Sequence, residues 1–86
     1  MSKYYPLEQF LRATPDELDL LTLGFQQIET IIGSQLPASH TLYRQWWENQ
    51  SDPTNRPQAE AWLKAGFRVE DVRLSDDGWV TFRKVR

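Results

Sequence analysis

Leu36-Pro37-Ala38-Ser39-His40-Thr41-Leu42-Tyr43-Arg44-Gln45-Trp46-Trp47-Glu48-Asn49 is the densest mixture of aromatic and hydrogen-bonding side chains in this 86-residue chain. Two adjacent indoles, a phenol, a guanidinium, the single histidine and two amides share one short run. Ser39 suits a helix N-cap, and Leu42 and Tyr43 with Trp46 form an apolar stripe at helical spacing. The expectation is a helix over 38–46, anchored by tryptophan, that turns a polar flank outward. Adjacent residues on a helix cannot both point into the core. One of Trp46 and Trp47 is therefore expected at the surface or over the following loop, with Trp46 read as core.

Upstream, Phe25, Ile28, Ile31 and Ile32 keep helical spacing, and Gly33 stands where a helix-ending glycine belongs. That predicts a helix over 25–32. Two helices joined by a short link containing a glycine fit a helix-turn-helix pair, and equally an ordinary helical hairpin. Before them, Leu20-Leu21-Thr22-Leu23 reads as a short buried strand over 20–23, with Gly24 capping the helix that follows. A first helix over 6–12 carries Leu7, Phe10 and Leu11 on one face, and Thr14-Pro15 ends it.

Downstream, Asn49 to Pro57 is a polar, turn-rich loop. A helix over 58–65 points Ala59, Trp62 and Leu63 inward and stops at Gly66. The chain closes in a hairpin of strands 67–74 and 79–85 around Ser75-Asp76-Asp77-Gly78. Phe67 and Val69 have one parity, Val72 and Leu74 the other, which predicts a bulge near Glu70-Asp71. On the return strand Val80 and Phe82 face inward, and Trp79, Thr81, Arg83 and Val85 face out. The whole, residues 1–86, reads as one α+β domain. It has three to four short helices with a helix-turn-helix-like pair and a C-terminal β-hairpin, the element order of a winged helix. The helix over 58–65 is the departure from that order.

A domain this size buries only about two-thirds of the surface its unfolded chain exposes, so its four tryptophans and four phenylalanines carry the core. Cysteine is absent, which excludes disulfides and thiolate metal sites. No signal peptide and no membrane span is expected, and a cytoplasmic setting is the default. One histidine, no cysteine and no glycine-rich phosphate loop leave no nucleophile–base pair, metal motif or cofactor site, so neither catalysis nor a small-molecule substrate is expected.

The net charge of −2 and isoelectric point of about 5.3 weigh against a simple basic nucleic-acid binder. The charges are uneven, however. Arg44 and Arg56 flank the tryptophans, and Arg83, Lys84 and Arg86 lie at the end. If nucleic acid, DNA above all, is the partner, then Ser39, His40, Tyr43, Arg44, Trp47, Asn49 and Arg56 would face it. Arg83 and Lys84 would grip backbone from the hairpin. Arginine suits phosphate and guanine edges; asparagine suits adenine and suits a helix C-terminal cap equally well. The competing expectation is a protein-binding adaptor or inhibitor of a larger enzyme, phage- or plasmid-encoded. Asp16, Glu17, Asp19 and an exposed Trp47 or Trp79 would serve as its contacts.

These residues also form a recognisable pattern. Phe25, Ile28 and Glu29 fit F-x-x-I-E. Gly33, Leu36, Pro37 and Ser39 fit most of G-x-x-L-P-x-S-A, and Trp46, Trp47 and Asn49 fit W-W-x-N. Gln58 through Gly66 fit Q-A-x-A-W-L-x-A-G, and Val80, Phe82 and Arg83 fit V-x-F-x-R. In these the chain resembles a small uncharacterised prokaryotic domain seen in bacterial and phage-type proteins. The resemblance implies a compact module, sometimes found near DNA-handling functions, with no settled activity. Two departures fall on the expected binding face: His40 stands where a small residue is usual, and Arg56 stands near a usual histidine in a longer loop.

Overall fold

The structure, a computed structural model, describes residues 2–49 and 57–85. Arg56, Arg86 and the loop over 50–56 lie outside the described residues. The architecture is α+β, with short helices packed on one face of a three-stranded antiparallel sheet. Helix α1 (Tyr5–Arg12) leads to strand β1 (Leu20–Gly24) and directly into α2 (Phe25–Ile32). A four-residue helix α3 (Ser39–Leu42) and a 3-10 turn (Arg44–Trp47) follow. Then come α4 (Pro57–Lys64) and the hairpin of β2 (Phe67–Arg73) and β3 (Trp79–Lys84).

The sheet order is β1-β3-β2, so the last strand is central and the hairpin pairs with the early strand. Val80 and Phe82 on β3 are fully buried, and Leu23, Phe67 and Val72 join them from the edge strands. Against this floor pack Leu7 and Leu11 of α1, Phe25 and Ile28 of α2, and Trp62 of α4. Each set recurs at the interval that puts it on one face of its element. The bulge falls between Val69 and Asp71, where pairing with Phe82 and then Thr81 skips Glu70. It lets Val69 and Val72 both turn inward despite opposite parity.

Two glycines differ in what they permit. Gly33 ends α2 at φ 70°, a left-handed conformation, with open space around it. Gly78 is buried under the hairpin turn, where its carbonyl accepts the Phe25 N–H at 3.0 Å. A Cβ there would lie 2.0 Å from the Arg73 carbonyl oxygen and 2.6 Å from Phe25 Cε2. Gly78→Ala is expected to cost about 2–3 kcal/mol, since neither atom can retreat freely. Gly33→Ala costs about 1 kcal/mol for the backbone conformation alone. Equilibrium urea unfolding of the two variants tests that ordering.

The helix expected over 38–46 is not continuous. Ala38 rather than Ser39 takes the cap position, and the chain goes extended at Tyr43 (φ −132°, ψ 119°). The cause lies in the paired indoles. On one helix Trp46 and Trp47 would diverge, whereas the break lets both pack. It also frees the His40 carbonyl, which accepts the Trp47 indole N–H at 2.9 Å. The roles are reversed from the expectation, too: Trp47 is 2% exposed and Trp46 half-buried. The second member of the supposed helix-turn-helix pair is therefore two short turns, with no continuous recognition helix.

Candidate functional site

The stretch expected to face a partner mostly faces the protein. The Asn49 side chain sits against the outer edge of β2. Its Oδ1 accepts the Val69 N–H at 2.7 Å and the Trp62 indole N–H at 3.0 Å. Its Nδ2 donates to the Val69 carbonyl at 2.9 Å. The amide thus behaves like one residue of a fourth strand and satisfies an edge that would otherwise be open. Arg44 continues the clamp by donating to the Val72 carbonyl at 3.1 Å. Asn49 is thus a structural joint rather than a base-reading group, and Trp47 is core rather than contact.

The other expected contacts scatter. His40 packs edge-on against Phe25 and Trp46, and its Nδ1 lies 2.7 Å from the Pro37 carbonyl. Ser39 is half-buried, while Tyr43 is exposed next to an exposed Leu42. Lys84 turns to the helical side of the sheet. Its ammonium lies over the Phe67 ring, 3.4 Å from the Pro15 carbonyl and 3.7 Å from Asp16. Arg83 is on the opposite face, bonded to Glu70, whose carboxylate pushes the guanidinium above its ordinary pKa. The two basic residues cannot serve one surface, because strand neighbours alternate.

What the fold does assemble is the uncovered face of the sheet. Its register rows are Leu20–Arg83–Arg68, Thr22–Thr81–Asp71 and Gly24–Trp79–Arg73. Glu70 projects from the bulge toward Arg83, and Arg44 joins at the rim, 3.9 Å from Asp71. Four arginines stand against two carboxylates, a local positive excess on a chain of net charge −2. Both ion pairs are exposed, so water and salt screen them and neither contributes much to stability. Arg68 and Arg73 are exposed and make no hydrogen bond or ion pair with another described residue. A depression of about 360 Å³ beside the bulge is lined by Arg44, Asn49, Arg68, Glu70 and Asp71 among others. At the centre of the face the Thr22 and Thr81 hydroxyls share a 2.8 Å hydrogen bond. Among the described residues no group of histidine and carboxylate side chains could hold a metal ion, and no helix is long and apolar enough to cross a membrane.

The expected contacts from sequence do not include Arg68 and Arg73. The signal was available, since both alternate with the inward residues of β2 across the bulge.

A family model for a domain of unknown function, DUF7662, matches residues 4–85. The chain belongs to that family. No curated protein and no solved structure matches it. The match runs from Tyr4, at the head of α1, through β3, so every element of this DUF7662 domain lies within it.

Proposed function

We propose that this DUF7662 domain is a non-catalytic, cytoplasmic nucleic-acid-binding module whose contact surface is the open sheet face. The observation that carries this reading is the pair Arg68 and Arg73, outward and without hydrogen-bond or ion-pair partners among the described residues, on the same face as Trp79. Guanidinium groups grip phosphate by two parallel hydrogen bonds, and backbone contacts supply much of nucleic-acid affinity. Asp16, Glu17 and the hairpin-turn aspartates lie off these rows, while Asp19 is near enough to act on Arg83, so the excess of positive charge at this face centres on Arg68 and Arg73.

With three or four phosphates engaged, log affinity for a single strand falls against log salt with a slope of about −2 to −3. Fluorescence anisotropy with a labelled oligonucleotide over a salt series measures it. The double variant Arg68→Ala, Arg73→Ala is expected to weaken binding and flatten the slope by about 1.4, two contacts at about 0.7 each. Arg12→Ala, on the opposite side of the molecule, is expected to change little. Absence of salt-dependent binding at low ionic strength rejects the reading.

One feature favours the protein-partner alternative. Leu42 and Tyr43 stand adjacent at the helix break, 65% and 55% exposed, as an anchor for another protein would. A nuclease-treated pull-down that loses its bound protein in the Leu42→Ala, Tyr43→Ala variant would favour it.

A further inference from the structure

We infer that the ligand of the sheet face is single-stranded, with Trp79 as the platform on which a base stacks. This rests on the nucleic-acid reading above and adds the strandedness of the ligand. Three tryptophans, Trp46, Trp47 and Trp62, are locked into ring–ring contacts. Trp79 makes none with any described residue, is half-buried on the uncovered side, and has no hydrogen-bond partner for its indole N–H among the described residues. A tryptophan left in this state keeps part of its ring accessible and its donor without a partner among the described residues.

The neighbours of Trp79 leave that surface clear. Gly24 is its partner on β1, and Arg73 its partner on β2. The only atoms within 4 Å of a Cβ built at Gly24 belong to Gln27 and Gly78, so the indole does not fold over the glycine. The ring is therefore not packed down on Gly24, and Arg73 neighbours it on the other side. A base on the indole, with its phosphate toward Arg73, uses both. Arg83 and Arg68 lie four residues along β3, roughly 13 Å away at about 3.3 Å per residue. That is the span of about four stacked nucleotides at about 3.4 Å each. Between the two ends, β1 and β3 present only the short threonine pair, so a strand can lie flat along them, while Asp71 and Glu70 on the β2 side are offset by Arg44 and Arg83.

Duplex fits poorly on the same geometry. The major groove, about 12 Å wide, admits a helix or a two-stranded ribbon. Three strands lying flat already measure about 10 Å between outer backbones, before side chains. A paired base also has no free face for an indole, whereas an unpaired base stacks on an aromatic side chain without regard to sequence.

The test uses the full chain with labelled 12-nucleotide probes of mixed sequence: single-stranded DNA, the same sequence as RNA, and the DNA duplex. Single strands are expected to bind at least ten-fold tighter than duplex and to quench tryptophan fluorescence. The RNA and DNA arms show whether the sugar hydroxyl contributes. Trp79→Leu is expected to lose ten-fold or more on single strands and little on duplex. Trp79→Phe should keep most of the affinity yet lose the quenching, and thermal melts establish that both variants fold. Equal affinity for duplex and single strand, with Trp79→Leu affecting both alike or neither, overturns single-strand stacking while leaving the nucleic-acid reading standing. Failure of all three probes at low salt overturns both.

Discussion

Trp47→Ala is expected to remove about 4–5 kcal/mol of stability. The ring is 2% exposed and stacks nearly parallel on Phe25, with centroids 5.2 Å apart and planes 7° apart. Its other side lies 5.9 Å from Trp62 at 18°, and Trp46 abuts its edge at 4.6 Å. Truncating a buried tryptophan typically costs about 3–5 kcal/mol in lost transfer and residual cavity. Each well-placed aromatic pair adds about 0.5–1.5 kcal/mol. The His40 carbonyl also loses its indole donor. A domain of this length has only about 4–13 kcal/mol in total, so the variant is expected to be barely folded at room temperature. At about 4–8 °C per kcal/mol, its melting point falls by at least about 16 °C. Trp46→Ala, at a half-buried position, is expected to cost about half as much. Denaturant unfolding followed by circular dichroism ranks the two, and a larger loss at Trp46 would show that the anchor had been assigned to the wrong indole.

That assignment marks where sequence reading reached its limit. Helix α2 was legible because Phe25, Ile28 and Ile32 agree with the stop at Gly33. The bulge was legible because parity cannot change along a regular strand. The break at Tyr43 was not. Residues 39–46 satisfy helical spacing locally, and what interrupts them is a demand from elsewhere, the packing of Trp47 on Phe25 and Trp62 and of Trp46 on Tyr4 and His40. Local pattern carries no record of that demand.

The candidate site fared similarly. Arg44 and Asn49 are residue types that recognise nucleic acid, and they also complete a strand edge; only the sheet order, which leaves β2 outermost, decides between these uses. The opposite facing of Arg83 and Lys84 was legible from alternation alone. Arg68 and Arg73 stand apart in sequence, so no charge cluster marks them, and only strand parity across the bulge puts them on one face.

Asn49→Ala is expected to cost about 3–4 kcal/mol, an unusual amount for a polar residue outside any helix or strand. One amide satisfies three groups on two elements: the Val69 N–H and carbonyl on β2 and the indole N–H of Trp62 on α4. Trp62 is fully buried, so its N–H would lose a partner that water cannot readily replace. An orphaned buried donor costs about 1–3 kcal/mol, and the Val69 pair adds a smaller amount because an edge strand can be rehydrated. Asn49→Asp keeps the acceptor for both N–H groups but sets a carboxylate oxygen against the Val69 carbonyl, so a loss of about 2 kcal/mol is expected. The Trp62 indole proton resonance and hydrogen exchange at the Val69 amide separate the two variants: alanine should shift the first and unprotect the second, aspartate only weaken them. The alanine variant also leaves a bare strand edge beside the bulge, an invitation to pairing with another chain. Concentration-dependent association in Asn49→Ala, absent from Asn49→Asp because its charge repels a second edge, would identify the amide as the group that terminates the sheet. A stability change below about 1 kcal/mol would mean that β2 is terminated by Arg44 and solvent instead.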